Sequence, residues 1–144
     1  MSRKVVRGFS AARFREVRER QGFTRAELAR LSEVSVGAIR NWEVEDAVPQ
    51  VDTLYRVVSV LGVAITEVVL VAPEERQLSD LRVLAGLTQP QLAARAELAT
   101  TTVAGLEQGH VRLQGTHAEQ LAKALELPVA VVEDAYMRTH SRPR

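Results

Sequence analysis

With 144 residues, the chain has room for one domain of common size or two small ones. Hydrophobic residues at 46% and charged residues at 26% are ordinary for a soluble globular protein, and aromatics at 4% leave the core to Leu, Val, Ile and Ala. The absence of cysteine excludes disulfides, thiolate metal sites and a Cys nucleophile, and a net charge of +1 is modest for a dedicated nucleic-acid binder.

Charge is concentrated at the start. Arg3, Lys4, Arg7, Arg13, Arg15, Arg18 and Arg20 face two acids, Glu16 and Glu19. Charge alone leaves two readings open, a solvated arm or an arm that touches phosphates. No apolar core follows these residues, so no signal peptide is expected. A basic arm over residues 1–8 precedes the first helix.

Phe14, Val17 and Arg18 set the period of that helix, which ends at Gly22, a residue suited to a helix C-cap. Thr24 caps the second, with Glu27 three residues on to complete a capping box. Ser35 caps a third, reading to Glu43. The fourth has Pro49 and Asp52 near its start, Gly62 at its end, and a buried stripe of Leu54, Val57, Val58 and Leu61. "AITEVVL", residues 64–70, reads as a short fifth. Val57 to Thr66 is the longest uncharged run of note, and it is too short to span a bilayer.

The pattern then repeats. A shift of 64 positions, with no gap, places Arg18 on Arg82, Gly22 on Gly86 and Thr24 on Thr88. It also places Leu28 on Leu92, Ala29 on Ala93, Glu33 on Glu97, Glu43 on Glu107 and Leu61 on Leu125. The chain is therefore read as two all-helical units, residues 9–71 and 74–137, with a basic tail over 138–144. Val71 to Gln77 forms the join, and the apolar approach Val68 to Ala72 is expected to pack on the second unit or on a partner chain. In the second unit Thr88 is a cap, Pro90 sits in a first turn, and Leu121, Ala122 and Leu125 line the fourth helix.

On the third helix Ala38, Ile39 and Trp42 share one face and must turn to the core, leaving Val36, Gly37, Arg40 and Asn41 outside. Two helices, a short turn and an outward second face make a helix-turn-helix, whose second helix enters the major groove. "GFTRAELARLSEVSVGAIRNWE" and "GLTQPQLAARAELATTTVAGLEQG" both resemble the Cro and phage-repressor (XRE) class of this motif. The resemblance implies an all-α fold of two lambda-repressor-like five-helix domains in tandem. It also implies double-stranded DNA as the partner, in a bacterial or phage regulator of transcription, with repression the expected outcome.

Carried over by position, the residue after the capping Thr, which touches phosphate or base, is Arg25 in the first unit and Gln89 in the second. The base-reading positions of helices 35–43 and 99–107 fall on Val36, Gly37, Arg40 and Asn41, and on Thr100, Thr101, Ala104 and Gly105. The backbone-contacting loop falls on Val44 to Val48 and on Gln108 to Arg112, with Gln108, His110 and Arg112 as the contacts. Arg and Asn can make bidentate base contacts worth about 1–3 kcal/mol each. Glu45 and Asp46, however, put acid where phosphate would lie. His110 is equally well read as a plain surface residue.

Trp42 is expected in the core, Tyr55 half-buried, and Tyr136 in the core or at a dimer contact. His110, His117 and His140 have no metal-ligand spacing, and no nucleophile constellation or phosphate loop stands out, so neither metal, cofactor nor enzymatic activity is expected. Half-sites about 34–36 Å apart would suit two readers in one chain. A homodimer joined through Val68 to Ala72 or the last helix is the other arrangement, with a protein co-regulator as a further partner. A cytoplasmic, nucleoid-associated protein is expected. The rival reading is a protein-interaction module that keeps the fold without specific DNA binding, supported by Glu45, Asp46, Ala104 and Gly105.

Overall fold

A computed structural model describes residues 6–140, and they fold as two compact units divided between Leu70 and Val71. The first unit contains α1 (Ala11–Arg20), α2 (Arg25–Ser32), α3 (Val36–Glu43), α4 (Val51–Leu61) and a 3-10 helix, Ile65–Glu67. After a 3-10 helix at Pro73–Glu75, the second contains α5 (Leu78–Leu84), α6 (Gln89–Ala96), α7 (Thr100–Gln108), α8 (Gly115–Leu125) and α9 (Val129–His140). The short fifth helix expected over 64–70 is therefore a single 3-10 turn, whereas its counterpart α9 has 12 residues. No strand is assigned among the described residues, and no helix there is long and apolar enough to cross a membrane.

Local chemistry sets most helix ends. Ser10 accepts from Arg13 N to start α1, and Gly22, at φ 84°, ends it in a conformation that costs glycine least. Thr24 Oγ1 accepts from Glu27 N at 3.1 Å while Glu27 accepts from Thr24 N at 2.9 Å. Those bonds hold the Glu27 carboxyl below its ordinary pKa. Thr88 and Gln91 repeat the box on α6. Ser35 caps α3 through Ala38 N, but Ala99 gives α7 no side-chain cap. His117 is accounted for by capping too, since its Nδ1 accepts from Gln114 N at the start of α8.

The apolar stripes converge as their spacing requires. Phe14, Leu28, Ile39, Leu54 and Val57 are wholly buried in the first unit, with Trp42 set edge-on to Phe14 at 5.7 Å. Leu81, Leu92, Val103, Leu106, Leu121 and Val132 do the same work in the second.

The described parts of both expected tails are folded. Residues 1–5, with Arg3 and Lys4, lie outside the described residues. Val6 is buried, the Gly8 carbonyl accepts from Leu70 N, and Phe9 pairs with Val69 in an antiparallel bridge. Burial of Val6 and pairing of that backbone repay the ordering of a segment read as an arm. Within the segment Val68 to Ala72 the same pairing accounts for Val68 and Val69, which are buried in their own unit beside its N-terminal segment, while Leu70 is exposed. At the other end, residues 138–140 continue α9, and Arg138 donates to the carbonyls of Pro73 and Arg76.

Four arginines of the cationic run, Arg13, Arg15, Arg18 and Arg20, are engaged in internal pairs. Arg13 bonds Glu16 and Glu67, Arg15 bonds Glu19, and Arg20 lies 3.7 Å from Glu67. Arg18 is buried. It donates to Glu43 Oε2 at 2.6 Å and Oε1 at 3.0 Å, and to the Phe23 carbonyl at 2.8 Å. Burial pushes Glu43 up, but the bonds from Arg18 and Arg25 outweigh it and hold the carboxyl below its ordinary value of 4.5. Arg82 repeats the clamp, with 2.7 and 3.1 Å bonds to Glu107 and a 2.9 Å bond to the Leu87 carbonyl.

Removing the cation of a buried pair strands the acid and costs about 3–5 kcal/mol. Arg82→Met should fall in that range by urea unfolding. Arg18→Met should cost about 1 kcal/mol less, because Glu43 keeps the Arg25 guanidinium where Glu107 keeps the Gln89 amide. Equal losses would show that Arg25 lends no support. Because the folded pKa of Glu43 is depressed, its contribution is complete above about pH 4.5 and fades as pH falls through the lower folded value. Glu43→Gln should remove that part of the acid dependence.

Candidate nucleic-acid interface

In each unit the turn between the second and third helices brings a charged rim and an outward helix face together. Glu33 takes φ 61° at the end of α2, and Glu97 takes φ 58° at the end of α6. One left-handed residue reverses the chain tightly, so α3 and α7 start within a few residues. Ile39 and Trp42, buried, hold the inner face of α3, and Glu43 at its end is bolted to α1 by Arg18. The outer face is left to Val36, Gly37 and Arg40, all exposed, with Asn41 half-buried beside them. Val36 is 52% exposed. Arg40 Nη1 donates to Asn41 Oδ1 at 3.3 Å, so the two polar ends lie together.

Arg25 lies at the first turn of α2, and its Nε donates to Glu43 Oε1 at 2.9 Å. Glu43 thus links three elements: α1 through Arg18, the start of α2 through Arg25, and the end of α3. Sequence reasoning singled out Arg25 but did not assign Glu43 this task. The signal was present, since Arg18 and Glu43 both recur as Arg82 and Glu107 after 64 positions. In the second unit Gln89 Nε2 donates to Glu107 at 3.0 Å, so the same linkage carries an amide in place of a guanidinium.

The second outer face differs. Thr100 and Thr101 are exposed at the start of α7, and Ala104 and Gly105 are half-buried. A Cβ at Gly105 would overlap Val111 Cγ2 and lie 3.3 Å from Val111 Cβ. The loop of this unit therefore lies across the last turns of its own helix. Tyr136 of α9 fixes it there, donating to the Val111 carbonyl at 2.8 Å. Neither Val111 nor Tyr136 had been given this role from the sequence, because the partners lie 25 residues apart. Gln108, His110 and Arg112 are exposed around the pinned loop.

In the first unit the loop crosses the helix at the same place, with Ala47 N donating to the Asn41 carbonyl at 3.2 Å. The sizes are reversed: Asn41 over Ala47 in one copy, Gly105 under Val111 in the other. Glu45 and Asp46 are exposed on this loop. Glu45 also takes φ 68°, where the other copy has Gly109 at 78°. Tyr55, expected half-buried, is 51% exposed.

Residues 14–68 and residues 78–132 each match one family model, described as helix-turn-helix. The two matches begin 64 residues apart, the same offset as the internal repeat. No curated protein and no solved structure gave a significant match.

A left-handed conformation costs a non-glycine residue about 1–2 kcal/mol, offset in part by the entropy glycine loses on folding. Glu45→Gly should therefore raise the first unit's stability by about 0.5 kcal/mol, and Gly109→Ala should lower the second's by about 1 kcal/mol. Thermal melts of both variants check this; a loss on Glu45→Gly would mean that its carboxylate makes a compensating contact.

Proposed function

The chain belongs to the Cro/C1-type helix-turn-helix (XRE) family, and on that premise we propose that it is a sequence-specific regulator of transcription acting on double-stranded DNA. The observation that carries this reading is the outer face of α3. Arg40 and Asn41 stand together there, Val36 and Gly37 open the helix to close approach, and the inner face is fixed by Ile39, Trp42 and Glu43. A helix held this firmly can enter a major groove without reordering. Arg40 and Asn41 then offer bidentate donors and acceptors to base edges, and Val36 meets a thymine methyl. Arg25, steadied by Glu43, supplies a cation at the rim for phosphate. In the second unit Gln89, Gln108, His110 and Arg112 would meet the backbone, with Thr100 and Thr101 toward the bases.

Repression follows as the simplest outcome, because a bound two-unit chain occludes the duplex. Two units in one chain can serve as the pair of readers that a dimeric regulator assembles from two protomers; association of two chains is the other route to the same pairing. The exposed acids Glu45 and Asp46 favour a second reading, a protein-docking module on the same fold.

Titration of duplex fragments at two salt concentrations separates the readings. Saturable binding to a subset of fragments is expected, and a grip on about four phosphates should weaken roughly 100-fold between 50 and 200 mM salt. Arg25→Ala should weaken all duplexes alike, while Arg40→Ala should relax the preference among them. Equal affinity of the parent for every fragment would overturn sequence-specific regulation and leave a docking module or a nonspecific binder.

A further inference from the structure

We infer that base discrimination resides in the first unit alone: α3 reads sequence, while the second unit holds the duplex without distinguishing its bases. This rests on the DNA-binding function proposed above and divides it between the two copies. The carrying observation is the exchange of sizes at one crossing. The first copy presents Asn41 past a small Ala47, and the second has Gly105 covered by Val111. No side chain fits at position 105 while Val111 occupies that space, so α7 cannot offer what α3 offers at 41. Its neighbour completes the loss, since Ala104 stands where the first copy has Arg40.

What remains exposed in the first turn of α7 is a pair of threonine hydroxyls, with Gln108 at the far end beside the loop. A hydroxyl both donates and accepts, so it suits several base edges and rejects few. The loop beside it is better placed for backbone than for bases. Tyr136 holds the Val111 carbonyl, and His110 and Arg112 are exposed on either side. The charge balance agrees with this division. Residues 1–70 carry 11 Lys and Arg against 9 Asp and Glu; residues 71–144 carry 8 against 9. The second copy has thus lost the bidentate side chains at the two positions equivalent to Arg40 and Asn41, its Gln89 amide is engaged by Glu107, and the excess of cations is gone, while a fixed loop is kept.

Selection of bound duplexes from a random pool, using the full chain, tests the division. The parent should enrich one short motif. Arg40→Ala with Asn41→Ala should flatten the enrichment, with about tenfold lost per bidentate contact, yet retain saturable, salt-sensitive binding. Thr100→Val with Thr101→Val should enrich the parent motif unchanged. Gly105→Asn with Val111→Ala, which reproduces the first copy's crossing, should add a second conserved stretch to the motif. Thermal melts confirm that each variant is folded. A changed motif from the threonine variant, or a motif that survives loss of Arg40 and Asn41, overturns the division and leaves the DNA-binding function standing. A folded parent that binds no duplex even at low salt overturns both.

Discussion

The buried carboxylate at the end of the third helix, Glu43 on α3 and Glu107 on α7, is the constraint on which the rest of each unit depends. Moving such a group out of water costs several kcal/mol, about as much as a small unit's whole stability, unless donors replace the lost hydration. Glu43 receives three bonds between 2.6 and 3.0 Å, two from Arg18 and one from Arg25. Each donor comes from a different helix. A shift of α3 along its axis would break the set, so α3 is fixed in translation as well as by the apolar contacts of Ile39 and Trp42. Hydrophobic packing tolerates sliding better than this does, because it lacks direction. The clamp therefore converts a loosely determined helix face into a rigid one, and it uses the side chain that reaches the rim to do so.

From that fixed frame the copies diverge at their loops. The chain leaving α3 turns through a left-handed Glu45, and the chain leaving α7 turns through Gly109. Glycine lets the second loop lie close, where Val111 can cover Gly105 and Tyr136 can secure its carbonyl. The first loop crosses with Ala47, whose side chain is a single methyl, beside a half-buried Asn41. Two units with the same frame can thus present different faces, because the frame is set by the charged clamp and the variation is confined to one crossing.

How much of this could be read beforehand follows from the range of each interaction. Caps at Thr24, Ser35 and Thr88 act within three residues, and the stripe of Leu54, Val57, Val58 and Leu61 repeats within one helix; both are visible in a linear string. The 64-residue repeat made each unit a check on the other. Charge alone could not place Arg18, because its burial depends on a partner 25 residues away. Val6 was assigned to an arm because its pairing partner lies near residue 70. The closure of Gly105 needed a distance in space: the sequence shows a glycine and a valine six apart, and helix periodicity says nothing about the loop that brings them together. Arg40 and Asn41 were legible as outward-facing because the opposite face was unmistakably apolar.

The boundary between Leu70 and Val71 is a peptide bond, and that has a consequence for dosage. Separate protomers drift apart as they become scarce, and occupancy of their target then falls with the square of abundance. Units joined in one polypeptide keep their mutual concentration at any copy number. Under the proposed function, with the two units of one chain serving as the pair, a cell with a handful of such molecules would respond to each one in proportion, and every newly made molecule would be competent as soon as it folded, without waiting to meet another.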